Sequence, residues 1–150
     1  MVDEKKLSIA EDFLRSLKAK HVEQVLSLFP EEGVWIAPEG TFTGKGSIRT
    51  YLDWQFGQGQ DLKITESGNG VVVEANRAFI EHTIAYKREG EHVEYIVLCS
   101  LELKGDKVMM VRTVYDRLSL ERQTARGRLS KWAVDRVMRQ AEKGLRWPGK

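Results

Sequence analysis

Three histidines, one cysteine and four tyrosines are the side chains of this chain most able to move a proton or hold a ligand. His82 leads them. It lies in the run Ile80-Glu81-His82-Thr83-Ile84-Ala85-Tyr86, whose alternation places its imidazole on one face with Ile80, Ile84 and Tyr86. Imidazole gives or takes a proton near neutral pH without a large shift. In an apolar cup His82 could act as general acid or base, with Tyr51, Tyr95, Tyr115 or Thr113 orienting a substrate. The competing role is a core histidine bonded to a neighbouring strand. Cys99, in the next row, invites a thiolate–imidazole pair, although a lone inward cysteine is more often a small buried hydrophobe. Trp35, Tyr51 and Trp54 could stack a flat ligand; the competing role is aromatic core packing, which is favoured for Trp54 on its helix.

Other chemistries are poorly supplied. His21, His82 and His92 fall on different elements and have no ligand spacing, so no metal site is expected. Gly40, Gly44 and Gly46 lack the Gly-Lys-Ser/Thr run of a phosphate loop, and no serine sits in a nucleophile motif. A single cysteine excludes an internal disulfide and a cysteine zinc site. No cofactor is expected. Arg112 and Asp116 fall on the opposite parity from His82, and Asp116 is expected to cap the segment that follows it.

The elements that would position these residues follow from periodicity. Residues 4–20 and 21–29 read as two helices, the second stopped by Pro30. Residues 33–37 read as a short strand broken at Pro38-Glu39-Gly40. A third helix is expected at 47–56 with Ser47 as its cap and Ile48, Tyr51, Leu52 and Phe56 inward. A strand at 61–67 and a Ser67-Gly68-Asn69-Gly70 turn precede three long antiparallel strands over 71–116, joined at Glu89-Gly90 and Lys104-Gly105-Asp106. These turns pair Ile84 with Tyr95, His82 with Val97 and Ile80 with Cys99. They also pair Leu101 with Met109, Cys99 with Val111 and Val97 with Thr113. One face then carries His82, Ile84, Tyr86, Tyr95, Val97, Cys99, Val111, Thr113 and Tyr115 and is assigned to a ligand cavity. The other mixes acids with Phe79, Ile96 and Leu98 and suits a part-exposed face or a dimer contact. Strands this long twist and curl, so the order of elements predicts an α+β fold whose helices cover one side of a mostly antiparallel sheet.

The charge is uneven. Residues 117–150 hold ten Lys/Arg against three Asp/Glu, and residues 1–116 hold fourteen against nineteen. The chain therefore divides into a body, 1–116, and a basic helical extension, 117–150. The extension's helix, at about 128–143, bears a stripe of Leu129, Trp132, Ala133, Val137 and Ala141. That stripe, with Trp132 and Trp147, favours packing on the body or on a partner subunit over nucleic acid. No apolar run is long enough to span a membrane, and the acidic, amphipathic start is unlike a secretion signal, so a cytoplasmic protein is expected.

The words VWIAPEGTFTGKGSIRTYL and MMVRTVYD, with Gly44 to Ile48 and Tyr51 at the helix entry and Tyr115-Asp116 at the closing strand, resemble the nuclear transport factor 2-like superfamily and its SnoaL-like branch. The resemblance covers about residues 7–120, and the tail's Tyr115 to Ser119 and Gly144 to Arg146 look similar to an extension carried by some of its members. It implies a cone-shaped α+β barrel with a deep apolar pocket, and a repertoire of polyketide cyclases, ketosteroid isomerases, epoxide hydrolases and non-enzymatic binders. The acids such enzymes use are replaced. His82, Ile84 and Thr113 stand where limonene epoxide hydrolases place Asp, Arg and Asp. Phe13, Ala37 and Cys99 stand where ketosteroid isomerases place a tyrosine and two aspartates. The expectation is a cofactor-independent isomerase, cyclase or hydrolase, or else a non-catalytic binder. Its partners would be a small apolar molecule and a second copy in a homodimer, with no nucleic acid and no membrane.

Overall fold

A computed structural model describes residues 3–144. The chain forms two compact units that meet in sequence at Tyr115 and Asp116. The first begins with α1 (Glu4–Lys18) and α2 (Val22–Ser27). Asp3 caps α1 by accepting from the Lys6 backbone N–H, and the three-to-four spacing of Ile9, Phe13, Leu14 and Leu17 buries one face. Next come β1 (Val34–Ala37), β2 (Gly40–Thr43) and α3 (Lys45–Phe56). The expected start of α3 moves: Gly44, at φ 82°, is the cap, and Ser47 lies inside the first turn. A side-chain cap is therefore absent, and glycine supplies the left-handed backbone.

The sheet is completed by β3 (Gln60–Glu74), β4 (Arg77–Arg88), β5 (Glu91–Lys104) and β6 (Lys107–Val114). Its six strands run in the order β2-β1-β6-β5-β4-β3, curved and unclosed. All neighbours are antiparallel except β1 and β6, which are parallel with Trp35 beside Val111. The strand expected to begin near Val71 is two strands. Residues 71–74 end β3, and the chain turns at Ala75-Asn76 so that Glu74 pairs with Arg77. Ser67-Gly68-Asn69-Gly70 is a bulge within β3, because the pairing steps from Glu66–His82 to Val71–Ile80. Gly68 and Gly70 both take positive φ there. The β4–β5 register is the expected one, with His82 opposite Val97.

The β5–β6 register is not. Lys104 pairs with Lys107 across a two-residue Gly105-Asp106 turn, and an irregularity beyond Leu103 brings Leu101 to Val111 and Cys99 to Thr113. The shift is by two residues, so Val111 and Thr113 keep the inward face. Val108, and not Met109, is fully buried.

The second unit contains α4 (Arg117–Thr124) and α5 (Gly127–Ala141). Asp116 caps α4 by accepting from the Ser119 N–H at 3.0 Å. Arg122 reaches Asp135 at 3.6 Å. The Arg136 guanidinium lies 5.4 Å from the centre of the Trp132 ring. Leu129, Trp132 and Val137 are exposed. Trp147 and Arg146 lie outside the described residues.

Candidate functional site

Helix packing on one side of the sheet creates the site. Alternate residues of β4, β5 and β6 point toward α1 and α3, and their apolar bulk drives burial at roughly 25 cal/mol per Å². His82 sits among them at 2 % exposure. A small void of about 10 Å³ lies beside it, lined by Leu17, Trp35, Gln55, Phe56, Ile64, Val97, Cys99 and Thr113. That is room for one water at most. The side expected to be a deep hollow is thus largely filled, with Trp35, Tyr51, Phe13 and Phe29 the largest wholly buried side chains.

Polar geometry is sparse and specific. The Trp35 indole N–H donates to Thr113 Oγ1 at 2.9 Å, and Cys99 Sγ lies 3.4 Å from the same hydroxyl. The shifted β6 register brings these three together. His82 Nδ1 is buried with no hydrogen-bond partner. Burial lowers the imidazole pKa to about 4, so the ring is neutral at pH 7. Burial also pushes the Cys99 thiol up to about 12, only partly opposed by the Thr113 hydroxyl. A thiolate–imidazole pair is therefore disfavoured on both sides.

A second cluster surrounds the β1–β2 turn. Tyr115 Oη donates to Glu39 Oε1, and the Tyr115 and Tyr95 rings lie 5.2 Å apart. Tyr51 packs between Phe42 at 4.7 Å and Trp54 at 5.9 Å, with Trp35 at 5.4 Å. Glu39 Oε2 and Tyr51 Oη are both buried without partners. Burial raises the Tyr51 pKa, helped by the charge of Glu39. Burial, then Tyr86 and Glu39, raises that of Tyr95.

Of the residues singled out in the sequence, Trp35, His82, Val97, Cys99 and Thr113 meet around the void, and Tyr51 joins them through Trp35. Tyr95 and Tyr115 meet each other at Glu39. Ile84, Tyr86 and Val111 are buried on the same side but do not line the void. Tyr86 instead packs beneath Gly59, where an added Cβ would stand 2.3 Å from its ring. Trp54, expected in the core, is 47 % exposed. Sequence reading missed Gln55 and Glu39. Glu39 was hidden in a Pro-Gly break, yet the alternation Gly40-Thr41-Phe42-Thr43 after it is a strand signal that would have made the break a hairpin.

Among the described residues no group of three His, Cys, Asp or Glu side chains could hold a metal, and no helix is long and apolar enough to cross a membrane.

A family model described as a SnoaL-like domain matches residues 10–111. No curated protein matches the chain. Solved structures share its fold. A protein of ketosteroid isomerase-like fold from Catenulispora acidiphila, in complex with trimethylamine, superposes with TM-score 0.67 at 15 % identity, covering 77 % of this chain and 90 % of its own. TerC co-crystallised with polyporic acid gives 0.69 at 13 % identity, over 79 % and 97 %. An epoxide hydrolase of M. tuberculosis, similar to limonene epoxide hydrolase, gives 0.64 at 17 % identity, over 88 % and 97 %.

Proposed function

The chain belongs to the SnoaL-like domain family, and on that premise we propose that the concave side of its sheet takes up a small apolar molecule and that His82 transfers a proton there. The reaction class is cofactor-independent isomerisation, cyclisation or hydrolysis. The observation that carries this reading is the orphaned His82 Nδ1, a buried nitrogen without a hydrogen-bond partner. Such atoms are uncommon in folded proteins because each forfeits a hydrogen bond. A bound molecule bearing a hydroxyl or an acidic C–H would supply the partner. Two neighbours on this fold were crystallised with small organic molecules, which supports placing one here. The void of about 10 Å³ requires lining side chains, such as Phe56, to move when a ligand enters.

The test is turnover against a panel of ketones and epoxides. Activity should be lost in His82→Ala and in His82→Gln while both variants stay folded. Unchanged turnover in both would remove His82 from the reaction. The small void and the low basicity of His82 favour a second reading, ligand binding without turnover. Undiminished binding in His82→Gln with no turnover of any panel member would select it.

We also propose that the outer face of the sheet meets a second copy of the chain. Val72, Phe79, Ile96, Leu98 and Val114 are about half exposed there. Arg77 and Arg112 share that face with Glu81 and Glu102, so a two-fold contact can set unlike charges against each other.

A further inference from the structure

We propose that Glu39 and the aromatic rings around it form the cation-recognising end of the concave site, and that they select ligands carrying a protonated amine. The inference rests on the reading of the concave side as a ligand site and names the chemical class of its ligand.

The geometry begins with a carboxylate held in place. Glu39 occupies a two-residue turn between paired Ala37 and Gly40, and Tyr115 fixes one of its oxygens by hydrogen bonding. Its other oxygen is buried without a partner. A carboxylate oxygen only accepts, so a donor alone completes it. The neighbouring Tyr51 hydroxyl is likewise unpaired, on a side chain only 2 % exposed. With its pKa raised, Tyr51 stays neutral and cannot add a second negative charge at physiological pH. Of Glu39, Tyr51, Tyr95 and Tyr115, only Glu39 bears a carboxyl group.

The rings choose among donors. Tyr51 stacks with Phe42 and Trp54, and Tyr95 meets Tyr115. Aromatic faces attract organic cations, most strongly when water is excluded. A hard metal ion would require several oxygens, which one carboxylate does not provide. An ammonium N–H can donate to Glu39 Oε2 while its carbon substituents lie against the Tyr95 and Tyr115 rings, since the faces of Tyr51 are already stacked by Phe42 and Trp54. A neutral hydroxyl satisfies the same oxygen with a weaker bond and gains nothing from the ring faces.

Three probes of one shape test this: cyclohexylmethylamine, cyclohexylmethanol and cyclohexanecarboxylate, titrated calorimetrically at pH 7 against the full chain. The amine should bind at least about tenfold more tightly than the alcohol, the difference expected of a charge-assisted bond. The carboxylate should bind more weakly than either. In Glu39→Gln the amine-to-alcohol ratio should fall to near one. Tyr115→Phe keeps the ring but frees the carboxylate, and should reduce the ratio by a smaller factor. An amine no tighter than the alcohol, with the alcohol still bound, overturns the cation site and leaves the concave ligand site standing. A preference that survives in Glu39→Gln also overturns it. If none of the three probes binds, both readings fall together.

Discussion

The two faces of one sheet are built from the same strands and have opposite fates. Along β4, Ile80, His82, Ile84 and Tyr86 are buried, while Phe79, just before them on the opposite face, is 45 % exposed. Along β5, Val97 and Cys99 are buried and Ile96 and Leu98 are exposed. Both sets are substantially apolar, so hydrophobicity alone does not decide the inside. What differs is the cover. Leu17 of α1 and Phe56 of α3 close over the inner set, whereas acids and arginines interrupt the outer one. The inner face also keeps its polar atoms in a dry setting, where an unpaired imidazole nitrogen or carboxylate oxygen is costly. The outer face keeps its own polar groups in water. Polar groups that cost stability inside are the ones with something to gain from a ligand.

The largest expected contrast is in packing. Trp35→Ala should cost about 3–5 kcal/mol in urea unfolding, the usual range for a large buried aromatic. Leu98→Ala on the outer face should cost under about 1 kcal/mol. Equal losses would erase the distinction between the faces.

Acid should unfold the protein through the inner face. Burial lowers the His82 pKa in the folded protein to about 4, from the ordinary 6.5 of an exposed imidazole. Between those values the unfolded chain binds more protons than the folded one, so stability rises with pH in that window. The contribution is full above 6.5 and is lost as pH falls toward 4, for a total of about 3 kcal/mol at 1.36 kcal/mol per unit. His82→Gln should flatten the slope between pH 4 and 6.5, whatever its effect at pH 7. A slope that persists in that variant would locate the titrating group elsewhere.

The outer face should respond in association and not in folding. Leu98→Arg should halve the mass measured by light scattering and shift the stability of the monomer by no more than about 0.5 kcal/mol. A wild-type chain that is already monomeric would refute the dimer. Smallest of all, Arg77→Met should change stability by less than about 0.5 kcal/mol, because its 3.5 Å pair with Glu102 is exposed.

Much of this arrangement was legible in the sequence. Period-two alternation placed His82 opposite Val97, because Glu89-Gly90 is a two-residue turn with one sensible register. Lys104-Gly105-Asp106 reads as a three-residue turn, whereas the chain turns in two, and a local irregularity restores the parity, so Thr113 has the expected face and a different partner. The hairpin at Ala75-Asn76 was hidden because Ala75 takes a φ of 52° without a glycine to announce it. Glu39 escaped for a different reason. Its importance arises from Tyr115, 76 residues away, and from the parallel pairing of β1 with β6, a long-range contact that local patterns do not encode. The filled interior was equally out of reach, since alternation tells which way side chains point and not how closely they meet.

The most direct measurement is a titration of the isotope-labelled protein with small apolar molecules, followed by the NMR signals of the Trp35 indole, the Thr113 methyl and the His82 ring. The account predicts that these three shift together and saturate, while Phe79, Ile96 and Leu98 stay in place. Shifts confined to those outer residues, with the inner three unmoved at saturation, would contradict it.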